Sequence, residues 1–273
     1  MKIVTFITGT RADYGKIKSL ILELQKKKKK FKTNLIITGM HNIKKYGHTI
    51  DEINKDKIQN CYSFNNQSNN TTMDLVLANT IKGVNKFILK NKTDLIVVHG
   101  DRVESLAGAI SGCLNNIKVA HIEGGEISGT VDEVIRHSIS KLSHLHFVTN
   151  QIAKQRLMQM GESVKSIFTI GSPDVDIILK KKLPNIKSVK NRYNISFINY
   201  AICIFHPVTT ESRKRIKYQI KSLISLLIKS KFNYVILLPN NDLGSDIIIE
   251  EIFLLKKKKL KNFKILPSMR LEY

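Results

Sequence analysis

Residues 94–125, DLIVVHGDRVESLAGAISGCLNNIKVAHIEGG, decide the fold. Asp94–His99 is a continuous apolar run rich in β-branched side chains and reads as a strand buried on both faces. Glu104–Leu114 follows with a helical pattern, and Ile117–Ile122 returns to a strand. Strand, helix and strand of this kind form a parallel βαβ unit. The alternation continues outward in both directions. Toward the N-terminus lie a strand at Ile3–Thr8, a helix at Lys16–Gln25, a strand at Leu35–Thr38 and a helix at Thr72–Leu89, with Met73, Val76, Leu77 and Ile81 at helical spacing. Toward the C-terminus come helices at Val131–Leu142 and Ala153–Met160, with strands at His146–Thr149 and Ile167–Ile170. The series is that of an α/β, doubly wound parallel sheet.

Between Lys180 and Tyr200 the periodicity stops in a polar, basic stretch with Pro184 and several Asn. It reads as a linker, 181–199, after a first Rossmann-like domain, 1–180. A second α/β series occupies 200–273: strands at Ala201–Phe205, Tyr234–Leu238 and Phe263–Leu266, with helices at Glu211–Ile228 and Ser245–Leu255. Stand-alone domains of this kind take about 100–150 residues, so the second is expected to be incomplete. It should leave an open strand edge, and Ile247–Ile249 and Leu254–Leu255 short of partners.

The 273 residues carry 45 Lys+Arg against 22 Asp+Glu, a formal charge of +23, and are 42% hydrophobic. Such a composition builds a core and argues against global disorder. The excess charge sits in blocks, Lys26–Lys30, Lys180–Lys182 and Lys256–Lys259, without Trp or interleaved aromatics. It therefore reads as solvated lysine faces rather than a nucleic-acid surface. Cys61, Cys113 and Cys203 lie far apart without CxxC spacing, which argues against disulfides or a cysteine zinc site. Each is expected in the core. The opening MKIVTFITGTRADYGK lacks a signal-peptide pattern, and no apolar run of ~20 residues occurs, so a cytoplasmic location and no membrane partner are expected.

Ligands of open parallel sheets bind beyond the carboxyl ends of the strands. After the first strand comes GTRADYGK (9–16), where a glycine turn, helix-start N–H groups, Arg11 and Lys16 could receive phosphate. It is neither GxGxxG nor a P-loop, and an ordinary turn with an exposed Arg reads equally well. Asp101 follows the strand ending at His99 and could instead be a helix N-cap. Glu123, between His121 and a pair of glycines, ends the next strand; His121 itself suits a core position. Asp132 and Glu133 open a helix, where acidic residues are favoured in any case. His206 ends the first strand of the second series. Together, carboxylates beside cations suit acid/base chemistry on an anionic substrate. His137, His144 and His146 lack ligand spacing, and His41 and His48 fall in a loop-like stretch, so no metal site is expected.

These strand-end residues, in this order, resemble the UDP-N-acetylglucosamine 2-epimerases of the hydrolysing type. The matching pieces are ITGTRADYGK (7–16), TGMH (38–41), HGDR (99–102), IGSPDVD (170–176), FHPVTTE (205–211), PNNDLGSD (239–246) and the long run AHIEGGEISGTVDEVIRHSISKLSHLHF (120–147). The resemblance implies two Rossmann-like domains facing a cleft, GT-B-like, with Arg11, Asp101, Glu123 and His206 converging there. It implies conversion of UDP-N-acetylglucosamine and water to N-acetylmannosamine and UDP, through C2 deprotonation, loss of UDP and rehydration. By position, Asp101, Glu123 and Asp132 match the family's catalytic carboxylates. Arg11, Lys16 and His206 match positions near the diphosphate. It implies a nucleotide-sugar partner, no nucleic acid, and no metal or redox cofactor, and it admits a homo-oligomer. The family's Gly-Asn-Ser-Ser-like phosphate loop has no match before SMRLEY (268–273), so little epimerase activity is expected of the 273-residue chain. Two other readings stand beside this one: a GT-B glycosyltransferase, and a hydrolysing epimerase of a GDP- or UDP-linked diacetamido sugar.

Overall fold

β1 (Lys2–Thr8), α1 (Arg11–Lys26), β2 (Phe31–Ile37), α2 (Ile50–Lys55), β3 (Cys61–Ser63), α3 (Met73–Lys90) and β4 (Leu95–His99) form the first half of the larger sheet and its helices. α4 (Val103–Leu114), β5 (Lys118–Ile122), α5 (Val131–Lys141), β6 (Leu145–Val148), α6 (Gln151–Gln159), β7 (Ile167–Thr169) and α7 (Pro173–Ile178) form the second half. All strands run parallel, in the order β3-β2-β1-β4-β5-β6-β7. This computed structural model describes residues 1–68, 71–179 and 183–270. The Lys180–Lys182 block, the first residues of the expected linker and the last three of SMRLEY lie outside them.

The sheet is buried on both faces. Val97 joins Phe6, Leu35, Ile17 and Ile21 on the α1 side, while its neighbours Ile96 and Val98 pack with Val84 and Phe87 on the other. That alternation explains why β4 is apolar from Leu95 to Val98. Gly108 lets α4 close onto the sheet: a Cβ there would fall 2.5 Å from Ile7 Cδ1 and 2.9 Å from Val98 Cγ1.

The chain divides into two compact units, Met1–Lys44 with His48–Lys180, and Lys181–Tyr273 with Lys45–Gly47. The second unit holds α8 (Ile186–Tyr193), β8 (Ala201–Ile204), α9 (Arg213–Lys229), β9 (Tyr234–Leu237), α10 (Ser245–Lys257) and β10 (Phe263–Leu266). Its parallel sheet has the order β10-β9-β8.

Several expectations are corrected. α1 starts at Arg11 rather than Lys16, because Thr10 and Asp13 form a capping box that nucleates it ahead of Gly15. The expected linker contains α8, capped by Asn185, and contributes Val189 and Ile195 to buried positions. Ile195 packs with Val235, Leu237, Leu266 and Met269 on one face of the small sheet. On the other face Ile247, Ile248 and Leu255 find partners in Ile216, Ile220 and Ile236. Ile249 is buried too, and of the residues expected to be left over only Leu254, at 44%, is exposed. A three-stranded sheet thus suffices to cover α10. The edge strand β8 leaves Ile202 and Ile204 exposed. Cys61 lies exposed on the edge strand β3 and Cys113 is half-buried, while Cys203 is half-buried against the core cluster of the second unit, so none is fully buried.

Candidate active site

β4 and β5 pair in register, His99 opposite Ile122, so the chain leaves both strands at the same sheet edge. Gly100 N–H donates to Ile122 O at 2.9 Å and Glu123 N–H to Phe147 O at 2.9 Å, extending the ladder one residue beyond each strand. Asp101 and Glu123 therefore emerge at the same edge of the sheet, Glu123 toward Lys16 of α1 and Asp101 toward Arg136 of α5. Glu123 has φ +60°, a left-handed conformation that costs a non-glycine residue about 1–3 kcal/mol and persists only where the surroundings hold it.

They do hold it. Glu123 Oε2 lies 2.8 Å from Lys16 Nζ and 3.0 Å from His99 Nε2, and Oε1 accepts from Ser172 Oγ at 3.2 Å. Lys16 Nζ also lies 3.2 Å from Asp174 Oδ2. Burial alone would raise the Glu123 carboxyl; the adjacent His99 imidazole and the Lys16 ammonium outweigh it and bring it down to about 2. Burial likewise disfavours the Lys16 ammonium, but Glu123 and Asp174 raise it above its ordinary value. Glu123 is an anion and Lys16 a cation at neutral pH.

Asp101 does not cap α4, whose N-cap is Arg102. It pairs instead with Arg136 of α5, which also donates to Glu126 O at 3.1 Å. Asp132 stands one turn before Arg136 on that helix and accepts from Thr130 Oγ1 at 3.2 Å. Residues four apart share a helix face, so α5 presents Asp132 on the side from which Arg136 reaches Asp101. The N-cap is Thr130, and Glu133 accepts from Ser128 N–H and Gly129 N–H of the preceding loop at 2.7 Å each. His121 is fully buried: Nε2 donates to Gly100 O at 2.7 Å, and Nδ1 lies 3.0 Å from Ser140 Oγ. Burial pushes this imidazole down to about 3, so it is a neutral core residue that braces the Gly100 turn.

The turn after β1 differs from the phosphate cradle read from its glycines. The Asp13 carboxylate accepts from Gly9 N–H at 3.1 Å, from Thr10 N–H, and from Thr8 Oγ1. Two of the main-chain donors are thereby satisfied within the turn. Arg11, the first residue of α1, and Lys16 supply the remaining positive charge. His41, placed in a loop by its sequence, sits in a 3-10 turn at Gly39–Asn42, fully buried between Thr8 Oγ1 at 2.9 Å and Thr49 Oγ1 at 2.7 Å.

In the second unit His206 follows β8 and is exposed, with Nδ1 3.9 Å from Asp242 Oδ2. Among the described residues no three His, Cys, Asp or Glu side chains are grouped to hold a metal, and no helix is long and apolar enough to cross a membrane.

Four site residues carried no assigned role in the sequence: His99, Arg136, Ser172 and Asp174. His99 hides as the last residue of a buried strand, and Ser172 and Asp174 lie in GSPDVD, beyond the most distant edge strand. The available signal was motif membership alone, in HGDR, IGSPDVD and the long run that holds Arg136.

The first unit is a doubly wound α/β sheet whose carboxyl edge holds the Glu123–Lys16 and Asp101–Arg136 ion pairs. The description "UDP-N-acetylglucosamine 2-epimerase" belongs to the family model that matches residues 23–273, and this chain is a member of that family. It is 44% identical over 273 residues to the UDP-N-acetylglucosamine 2-epimerase of Neisseria meningitidis serogroup B, spanning 100% of this chain and 71% of that protein. It is 36% identical over 254 residues to the UDP-N,N'-diacetylbacillosamine 2-epimerase (hydrolyzing) of Legionella pneumophila, spanning 91% of this chain and 67% of that protein. Among solved structures, UDP-GlcNAc 2-epimerase of Methanocaldococcus jannaschii in complex with UDP-GlcNAc and UDP shares its fold, with TM-score 0.80 and 24% identity over 100% of this chain and 75% of that one.

Proposed function

We propose that this chain acts as a hydrolysing 2-epimerase, taking UDP-N-acetylglucosamine and water to N-acetylmannosamine and UDP. The observation that carries the reading is the Glu123 carboxylate, ionised and held by Lys16, His99 and Ser172 at the sheet edge where Asp101 also emerges. The C2 proton of the sugar is weakly acidic, so its removal needs a positioned base. Asp101, Glu123 and Asp132 are the carboxylates assigned to proton transfer. The C2 proton goes to a carboxylate, and the C2–H electron pair forms the C1=C2 double bond of a glycal. The C1–O pair leaves with UDP, whose charge Arg11, Lys16 and His206 are assigned to stabilise. Water then returns a hydroxyl to C1 and a proton to C2 on the opposite face.

The test is incubation with UDP-N-acetylglucosamine in D2O without any acceptor, followed by NMR. Free N-acetylmannosamine with deuterium at C2, released with UDP, is expected. Sugar transfer only on addition of an acceptor would move the chain to the glycosyltransferase reading. The same assay with a UDP-linked diacetamido sugar decides between the two epimerase substrates. The proposal includes a cytoplasmic location, which cell fractionation tests.

A further inference from the structure

Lys16 sits between two carboxylates that are not equivalent. Glu123 keeps two other holds, His99 Nε2 and Ser172 Oγ, and would stay in place without Lys16. Asp174 has only Lys16 as a side-chain ion pair at Oδ2, and its Oδ1 is buried without a hydrogen-bond partner among the described residues. The Lys16 and Asp174 side chains are 22% and 30% exposed, so solvent screens this pair only in part. Asp174 arrives from the opposite end of the sheet, in α7 after the edge strand β7, and α7 packs against α1. No role in proton transfer or in gripping the leaving group has been assigned to it.

We propose that Asp174 is a positioning residue that holds the Lys16 ammonium and competes for it with the nucleoside diphosphate, whose arrival draws Lys16 away and leaves Glu123 without its cation. The inference rests on the reading of Lys16 as a diphosphate ligand. An ammonium offers three donors to oxygen acceptors. A diphosphate brings more charge and more acceptor oxygens than one carboxylate, so it displaces Asp174 and then Glu123. Lys16 is one of the two groups that oppose the effect of burial on Glu123. Its withdrawal makes Glu123 a stronger base. Base strength thereby rises only once a leaving group is seated, and proton abstraction without departure of UDP is disfavoured.

The test uses the full chain and two probes, UDP and inorganic pyrophosphate, with affinities from calorimetric titration. Wild type, Asp174→Asn, Lys16→Met and the double variant are compared, and circular dichroism melting checks that each is folded. Asp174→Asn should tighten both probes by roughly 3–10-fold, the scale of one partly screened charge. Lys16→Met should weaken both by about 10-fold or more. In the Lys16→Met background, Asp174→Asn should have no effect. Binding detectable only in Asp174→Asn supports the proposal as well; no binding in any variant overturns it. Tightening that persists in the double variant also overturns it, because Asp174 would then act through its general field. Lys16→Met weakening without Asp174→Asn tightening overturns the competition while leaving Lys16 as a ligand. Wild-type affinity in Lys16→Met overturns both. Asp174→Ser repeats the measurement if the Asn variant misfolds. A second readout is the Glu123 carboxyl carbon followed by NMR, whose titration point should rise on saturation with UDP in the wild type and stay put in Lys16→Met.

Discussion

His99 Nε2 lies 3.0 Å from Glu123 Oε2, joining the last residue of β4 to the first residue past β5. The contact fixes a carboxylate whose backbone is itself in a left-handed conformation. His99→Ala should therefore lower turnover about 10-fold or more by loosening a positioned base. His99→Gln, which retains a donor, should recover part of the loss. Steady-state kinetics on both variants checks this; equal turnover in His99→Ala and wild type would remove the contact from catalysis.

Asp101→Asn, Glu123→Gln and Asp132→Asn should each cut turnover by ~10²–10⁴, the usual worth of a placed acid or base. UDP affinity should change far less, since cations are assigned to hold the diphosphate. Kinetics paired with UDP titration separates the two effects, and full turnover in any one variant removes that residue from the mechanism.

Arg136→Met should destabilise the fold. It leaves Asp101 beside a lost partner, with the Arg136 side chain 12% and the Asp101 side chain 24% exposed in the wild type. Breaking a fully buried pair costs about 3–5 kcal/mol, and partial exposure reduces this to about 1–3. Urea denaturation measures it. A companion Asp101→Asn change in the Arg136→Met background should cost little more, because the charge left unpaired has gone.

Acid should unfold the first unit with a slope set by its buried imidazoles. Burial brings both His121 and His41 down to about 3 from an ordinary 6.5. Between those values the unfolded chain binds protons that the folded chain refuses, so stability falls as the pH drops through that window. Each imidazole contributes at most about 1.4 kcal/mol per pH unit. Glu123 adds the same sign lower down, its folded carboxyl at about 2 against an ordinary 4.5, so its contribution is lost as the pH falls from 4.5 toward 2. Urea midpoints from pH 7 to 4 should decline steadily. A flat profile would mean that His121 and His41 are charged in the folded protein.

The architecture was readable because β1, β4 and β5 are short runs dominated by apolar and β-branched residues, a pattern that parallel sheets covered on both faces favour. α7 and α8 escaped because they are short, and α8 buries only Val189. Apolar α10 was expected to lie partly uncovered, yet its isoleucines meet α9 and β9, contacts that no local pattern encodes. In the site, Asp101 and Glu123 stood out through their position after strands. Arg136, 35 residues from Asp101, and Ser172, 49 residues from Glu123, reach the site only through tertiary packing.

The capping box at Thr10 and Asp13 has a consequence for how a product departs. Rigid amides that point into a phosphate would bind it equally well before and after reaction, and would slow its escape. Here Asp13 already accepts from the Gly9 and Thr10 amides. An anion at this edge of the first unit is then met chiefly by long side chains such as Arg11 and Lys16, which release it by changing rotamer rather than by moving the main chain. A grip of that kind loosens as readily as it forms, and the residence time of UDP should shorten steeply as salt is added.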